Sequence, residues 1–282
     1  GDLPEPVAVK GGVVVAVRAT SINPVDWKIR AGDLRLLSGV EFPRVLGTEF
    51  AGVVHAVGAG VTGWAVGDEV YGLTVTALGH PGAHAERTVV PAGALRRKPA
   101  SLSFEQAVVL PVAGLTALSG IRLCGDLAGR EVLVIGATGG VGHFFLQMAR
   151  ACGARVTAVC SARNAAHATV LGAADVLDYR ARDFSREPSR FDVVYDAYGQ
   201  PGFGVGQRVL KPRGLWVTPL GTPGVYARSL VQGLLGGRRL RVGNVRSRPE
   251  DYARIEAMLA SGAVRPLIDR VLPLDQAAEA FA

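Results

Sequence analysis

The chain has 282 residues, 49% of them hydrophobic, and a formal net charge of +7 from 31 Lys and Arg against 24 Asp and Glu, which is enough for two ordinary domains with a substantial core. Mean hydropathy is +0.26, yet no run of about 18 apolar residues is free of Gly, Pro or charge, and no basic-then-apolar leader opens the chain; a soluble cytoplasmic protein is expected, with no membrane as partner. The three cysteines, Cys124, Cys152 and Cys160, stand singly, which excludes a disulfide framework or a cysteine metal cluster from the expectation.

No Met precedes Gly1, and the chain stops inside a helix-like run over 275–282, so both ends are expected to be trimmed. Basic residues gather at Arg96, Arg97 and Lys98, and again at Arg238, Arg239, Arg241, Arg246 and Arg248. Aromatics make up 6% and none interleaves with these clusters. Solvated faces therefore explain them better than a nucleic-acid surface does.

In chain order, residues 11–71 carry short β-rich runs, 13–19 and 53–57, separated by turns such as Val66-Gly67-Asp68. This pattern predicts a mainly β, barrel-like domain. Residues 101–120 read as a Gly- and Ala-rich helical passage, opened by Ser101 or Ser103 as N-cap, with Gln106 three residues beyond the latter. From 131 onward buried-type strands alternate with helices: strand 132–135, a helix to 151, strand 155–160, a helix to 171, then strands 175–177, 191–195, 215–218 and 240–243. Such alternation predicts an α/β, Rossmann-type doubly wound parallel sheet with both faces covered. After Pro249 a helix over 251–260 and the segment 264–274 leave that rhythm and are expected to return to the first domain. The expected division is thus a β-rich catalytic domain over 1–101, a dinucleotide-binding domain over 102–245 and a return segment over 246–282. No internal repeat or low-complexity tract interrupts it.

Strand 132–135 runs into Gly136-Ala137-Thr138-Gly139-Gly140-Val141-Gly142, and an apolar-periodic helix with Phe145, Met148 and Cys152 follows. Gly139 and Gly140 permit close backbone approach to a pyrophosphate, Gly142 permits tight packing of helix on strand, and the helix start supplies free N–H groups. Ala137 stands where the commonest fingerprint has its first Gly. The next strand ends at Cys160, where an NAD-selective site places an acid on the ribose 2'-hydroxyl. Here Ser161-Ala162-Arg163-Asn164 follows instead. Ser161 and Arg163 suit a 2'-phosphate through charge-assisted hydrogen bonds, so NADPH is the expected cofactor.

These features, with Ala19-Thr20-Ser21-Ile22-Asn23-Pro24-Val25-Asp26-Trp27-Lys28, Gly47-Thr48-Glu49-Phe50-Ala51-Gly52, Val66-Gly67-Asp68-Glu69-Val70-Tyr71-Gly72 and Leu110-Pro111-Val112-Ala113-Gly114-Leu115-Thr116-Ala117, cover nearly the whole chain. Together they resemble the medium-chain dehydrogenase/reductase superfamily, in particular its zinc-independent quinone oxidoreductase and enone reductase branch. The resemblance implies a GroES-like catalytic β domain hinged to a Rossmann domain, with cofactor and substrate in the cleft between them. Zinc-dependent relatives have a Cys ligand where this chain has Asn23 and a His ligand where it has Thr48, and no Cys or His lies between Glu105 and Gly120 for a third ligand. No metal is expected. His55, His80 and His84 remain as stray histidines.

Without a metal as Lewis acid, alkoxide charge on an isolated ketone is poorly stabilised. A quinone or an α,β-unsaturated carbonyl instead spreads that charge over a hydroquinone or enolate. The expected activity is therefore NADPH-dependent reduction of a quinone or enone, in which the protein chiefly positions the nicotinamide about 3 to 3.5 Å from the acceptor carbon. By resemblance, Asn23 lies beside the nicotinamide and acceptor, Thr116 binds the carboxamide, and Asp26 orders its loop. Many members of the branch carry Tyr where this chain has Lys28. Lys28 is then either a proton donor or a salt-bridged surface residue, and solvent is the other proton source. The resemblance further places Tyr179 near the phosphoribose, and Leu220, Gly221, Gly243, Asn244 and Val245 along the nicotinamide. Tyr198, at a strand's C-terminal end, is a further cofactor-side candidate. The edge near 240–242 is expected to pair with a second subunit, giving a homodimer. An enoyl-thioester or natural-product enone reductase shares every motif, and a non-catalytic NADPH-binding or RNA-binding protein on the same fold is the alternative outside enzymes.

Overall fold

The computed structural model describes residues 3–39, 43–74, 76–78, 80–186, 188–235, 237–243, 245 and 247–281. The chain divides into two compact units, Gly1–Val112 with Ile268–Ala282, and Ala113–Leu267.

In the first unit β1 (Gly12–Thr20) is followed by two short helices, α1 (Pro24–Ala31) and α2 (Arg35–Ser38), then by β2 (Glu49–Val57), β3 (Glu69–Leu73), β4 (Arg87–Pro91) and β5 (Leu95–Arg97). The strands form one sheet in the order β4-β1-β2-β3-β5, with every pairing antiparallel. Val13, Val15, Phe50, Val54, Val70, Val90 and Leu95 fill its core, mostly the β-branched and aromatic side chains that a pleated, buried surface selects. β2 starts at Glu49, four residues before the run that its alternation suggested, because it is paired on both sides and buries an acid at its head. A Cβ on Gly52 would lie 2.2 Å from the Ala16 carbonyl oxygen, so only glycine allows β1 and β2 to approach there.

A helical run then carries the chain onward: α3 (Phe104–Val108), a π turn over Leu110–Gly114, and α4 (Leu115–Cys124). Ser103 is the N-cap of α3; it accepts the Gln106 N–H at 3.2 Å while Gln106 accepts its N–H at 3.1 Å, a reciprocal capping box. By length and composition Phe104–Cys124 is apolar enough to cross a membrane, but 72% of its most apolar window is buried in the protein, as in the core helix of a globular domain.

The second unit contains β6 (Glu131–Ile135), α5 (Gly140–Ala151), β7 (Arg155–Cys160), α6 (Ala165–Val170), β8 (Asp175–Asp178), β9 (Phe191–Asp196), α7 (Gly202–Gly206), β10 (Leu210–Thr218), α8 (Pro223–Leu235), β11 (Arg239–Val242) and α9 (Pro249–Ala260). A last turn, α10 (Ala277–Ala280), belongs to the first unit. The six strands form a sheet in the order β11-β10-β9-β6-β7-β8, parallel throughout. One face buries Leu133, Ile135, Val159, Val194 and Trp216. On the other, Phe145 of α5 stacks on Tyr195 of β9 with centroids 3.6 Å apart and planes within 3°.

The division differs from the one expected at 101/102 and 245/246. Residues 102–112 stay with the β-rich unit, and α9 stays with the parallel sheet, so only Ile268–Ala282 returns. Three contacts hold 249–267 in the second unit. Arg122 of α4 pairs with Asp251, which is 1% exposed. Gln147 of α5 donates to the Arg265 carbonyl and accepts its N–H, both at 2.9 Å. His143 Nε2 accepts the Leu267 N–H at 3.1 Å.

Candidate active site

In the first unit, α1 begins at Pro24, whose fixed φ and missing N–H suit the first helical position. Asn23 is therefore the N-cap. Its backbone N–H donates to Asp26 Oδ2 at 2.8 Å, and Asp26 Oδ1 accepts the Thr48 hydroxyl at 2.7 Å. Asp26 is fully buried and ties the head of α1 to the loop before β2. The Asn23 carboxamide, 8% exposed, points its nitrogen inward. Nδ2 donates to Glu49 Oε1 at 2.9 Å and to Ser21 Oγ at 3.0 Å.

Glu49 is the hub of this network. Its side chain also accepts the Ser21 hydroxyl on Oε1 and the Val112 N–H on Oε2 at 2.7 Å. Burial pushes its carboxyl from 4.5 up to about 7; the bonds from Asn23, Ser21 and Val112 pull the other way, and the charge of Asp26 adds to the rise. His84 stands behind Ser21, with Nε2 3.0 Å from the Ser21 carbonyl oxygen; a carbonyl only accepts, so Nε2 carries the proton. The Lys28 ammonium lies 5.6 Å from the centroid of the Trp27 ring, and the hydrogen bonds of the Asn23 network do not include it.

The residue types at the two positions where zinc relatives have ligands do not fit zinc. Asn23 commits its nitrogen to Glu49 and Ser21, Thr48 commits its hydroxyl to Asp26, and neither supplies a thiolate or imidazole. Among the described residues no group of three His, Cys, Asp or Glu side chains could hold a metal ion.

In the second unit the cofactor-side candidates line the C-terminal edge of the parallel sheet, the edge where open α/β sheets bind ligands. β6 ends in Gly136, whose φ of +73° makes the sharp turn that only glycine adopts without strain. Gly136 and Ala137 both donate their N–H groups to the Val159 carbonyl, at 3.1 and 3.2 Å. Ala137 is fully buried, Thr138 and Val141 are half-buried, and Gly139 and Gly140 are exposed. A Cβ on Gly142 would lie 2.0 Å from the Gly136 carbonyl oxygen, whereas one on Gly140 would meet no protein atom within 4 Å. Gly142 is thus required by packing, while the space before Gly140 is open, as a dinucleotide pyrophosphate requires. α5 follows with no side-chain cap on its first N–H groups. These residues fit the cofactor.

β7 ends at Cys160. Ser161 is 8% exposed, Arg163 is exposed, and the turn closes by Asn164 N–H donating to the Ser161 carbonyl at 2.9 Å. Asn164 also donates from Nδ2 to Thr138 Oγ1 at 3.1 Å, so the glycine loop and the Ser161-Arg163 turn are joined. Tyr179, exposed at the end of β8, bonds back to the Cys160 carbonyl at 3.4 Å and carries Arg180 over its ring. Asp196, buried at the end of β9, accepts the N–H groups of Tyr198 and Gly199 at 3.1 and 2.7 Å. This turn brings Tyr198 against Gly136, where a glycine Cβ would be 3.3 Å from the Tyr198 Cβ. Thr218 Oγ1 donates to the Asp196 carbonyl at 2.9 Å and accepts the Leu220 N–H at 3.1 Å, fixing Leu220 and Gly221 beside that turn. Gly243 donates its N–H to the Thr218 carbonyl at 2.9 Å. Val245 is exposed, and Asn244 lies outside the described residues. Thr116 is buried in α4, in the second unit, whereas Asn23 and Lys28 belong to the first.

The sequence motifs include Glu49 and Asn164 without giving either a role, and they do not include Arg180 or His143. For Glu49 a signal was present: an acid inside the otherwise apolar run Glu49-Phe50-Ala51-Gly52-Val53-Val54 is costly to bury and so marks a site. For Asn164 and His143 the partners are distant in sequence, and no local pattern shows them.

Residues 9–100 match the family described as alcohol dehydrogenase GroES-like domain, and residues 171–282 match that described as zinc-binding dehydrogenase. The chain is 32% identical to the chloroplast envelope quinone oxidoreductase homolog of Arabidopsis thaliana, over 100% of this chain and 88% of that protein. It is also 32% identical to the NADPH-dependent alkenal/one oxidoreductase, chloroplastic, of the same species, over 95% of this chain and 68% of that one. The solved structure of the quinone oxidoreductase from Coxiella burnetii superposes with a TM-score of 0.91 at 30% identity, covering 100% of this chain and 89% of that one. The chain belongs to the medium-chain dehydrogenase/reductase superfamily, as an oxidoreductase resembling the quinone oxidoreductases and alkenal/one reductases within it.

Proposed function

We propose that this protein is an NADPH-dependent reductase that delivers hydride to a quinone or an α,β-unsaturated carbonyl without zinc. The observation that carries this reading is the hydrogen-bonded engagement of Asn23 and Thr48, at the positions where zinc relatives place ligands, by Glu49, Ser21 and Asp26. A site built from carboxamide, hydroxyl and carboxyl groups would stabilise delocalised enolate or hydroquinone charge through hydrogen bonds, and Asn23 and Thr48 are not the thiolate or imidazole that would hold a Lewis acid for an isolated ketone.

When bound, NADPH supplies the hydride from C4 of its nicotinamide. The chain's own part is positional. Gly139, Gly140 and the open N–H groups at the head of α5 would hold the pyrophosphate. Ser161 and Arg163 would hold the 2'-phosphate, and the Asn164 bond to Thr138 keeps these two loops in register. Arg163 is exposed, so its guanidinium is available to an anion. A homodimer is part of the proposal: β11 is an edge strand, and α8, which packs on it, exposes Leu230 and Val231.

The test is optical: NADPH oxidation against a panel of quinones, alkenals, enones and enoyl thioesters, before and after chelator treatment. Acceptor-dependent oxidation that survives chelation is expected. Zinc at one equivalent whose removal abolishes turnover would refute the metal-free mechanism, and NADPH binding without turnover on any acceptor would refute the reductase reading.

A further inference from the structure

Among the described residues Glu49 has three donors and no cation paired with it. Ser21 Oγ and Asn23 Nδ2 meet Oε1, Val112 N meets Oε2, and the side chain is 1% exposed. Of these partners, Asn23 and Val112 offer only N–H groups, which donate but do not pass a proton on. A serine hydroxyl both donates and accepts. Two other nearby hydroxyls are engaged elsewhere, Thr48 with Asp26 and Thr20 with the Glu49 backbone carbonyl. Ser21 is half-buried, one step nearer solvent than Glu49. Among the described residues a proton leaving the Glu49 carboxyl thus has one hydroxyl route, through Ser21 Oγ, and that route lies against Asn23.

We propose that Glu49 and Ser21 form a two-residue proton relay that completes reduction of the acceptor. This rests on the reductase reading above. With Glu49 neutral, its O–H donates to Ser21 Oγ and the Ser21 O–H is free to turn outward. Once the acceptor carbon has gained the hydride pair supplied by NADPH, the resulting enolate or hydroquinone anion takes the Ser21 proton while Ser21 takes the Glu49 proton. Glu49 is left as a carboxylate facing its three donors and regains a proton from water by the same hydroxyl. The sum is acceptor, NADPH and one proton giving reduced acceptor and NADP+. Glu49 acts through Ser21, and it also holds Asn23 in place.

The groups facing Glu49 leave it suited to this work. α1 contributes the Asp26 carboxylate, whose charge favours the protonated form. The loop before β4 contributes His84, which meets the Ser21 carbonyl and not the carboxyl itself. Lys28 holds its ammonium over Trp27. β3 sets Leu73 opposite Glu49, and its own acid, Glu69, stands opposite Val53 at the other end of the pairing. Burial thus raises the carboxyl towards neutral pH, the range in which a general acid is most effective.

The test compares wild type, S21A, S21T and E49Q. The first readout needs no turnover. In the unliganded protein, an infrared C=O band of a protonated carboxyl should fade as the pH rises through about 7 and should be missing from E49Q. The second is the pH profile of kcat with the best acceptor. Wild type should lose rate above about pH 7, S21A should lose about a hundredfold at lower pH while the KM for NADPH stays within about twofold, and S21T should recover most of that loss by restoring the hydroxyl. A wild-type kcat that is flat across neutral pH, or an S21A enzyme with the rate and profile of wild type, would overturn the relay and leave the reductase reading standing. No turnover on any acceptor would overturn both.

Discussion

Exchanging Glu49 for Gln removes a carboxyl that is 1% exposed and whose titration burial moves from 4.5 to about 7. Between those two values the folded protein keeps a proton that the unfolded chain has released, so folding stability falls as pH rises through that window and is level above it. At about 1.4 kcal/mol for each pH unit, the loss amounts to about 3 kcal/mol. Gln does not titrate. It does leave one of the donors from Ser21, Asn23 and Val112 without a good acceptor, at a cost of about 1 to 3 kcal/mol that is the same at every pH. The wild type should therefore be the more stable protein near about pH 5 and lose most or all of that advantage by about pH 8. Urea unfolding followed by circular dichroism at several pH values measures both curves, and their difference cancels every group other than Glu49. Parallel curves would refute the account of Glu49 as a buried acid that is neutral in mildly acidic solution.

The remaining expectations concern the cofactor and the metal. Arg163→Ala should raise the KM for NADPH about ten- to hundredfold and leave that for NADH nearly unchanged, since a charge-assisted hydrogen bond contributes about 1.5 to 3 kcal/mol; equal losses with both cofactors would assign Arg163 to the fold. Ser161→Asp should move the preference further towards NADH in the same assay. Gly140→Ala should melt at the wild-type temperature but bind NADPH weakly by fluorescence titration, because its Cβ meets no protein atom within 4 Å. Gly142→Ala should lower the melting temperature itself, since its Cβ would lie 2.0 Å from the Gly136 carbonyl oxygen. Chelator-treated protein should keep full reductase activity, with zinc content measured alongside.

Local chemistry made some of this structure readable in advance. The strand, turn and helix around Gly136–Gly142 were legible because their constraints act within a few residues: a positive φ at Gly136 and a carbonyl pressed on Gly142. The Ser103 and Gln106 capping box was legible for the same reason. The placement of α9 was not. A helix after Pro249 that breaks the strand rhythm does not say which unit it covers; the Arg122 pair with Asp251 and the Gln147 clasp on Arg265, 118 residues away in the chain, decide it. Glu49 was visible as a residue and invisible as a hub, because Ser21, Asn23 and Val112 reach it from 28, 26 and 63 positions away. The proton source, posed by resemblance as Lys28 or solvent, has a further candidate in the proposed Glu49 and Ser21 relay, which no local sequence pattern displays.

The bond from the Val112 amide to Glu49 bears on how this protein can be taken apart. The passage from one unit to the other falls within a helical run, at a π turn containing Pro111, and the last residue of the β-rich unit caps that unit's buried acid. A fragment ended at 101 would lack α3 and leave the Glu49 Oε2 atom without its backbone donor. Fragments or chimeras should therefore be joined after 112 and should carry 268–282 with the β-rich part. Swapping the parallel-sheet unit between relatives at that seam would exchange cofactor preference while leaving the carboxyl and its three donors intact.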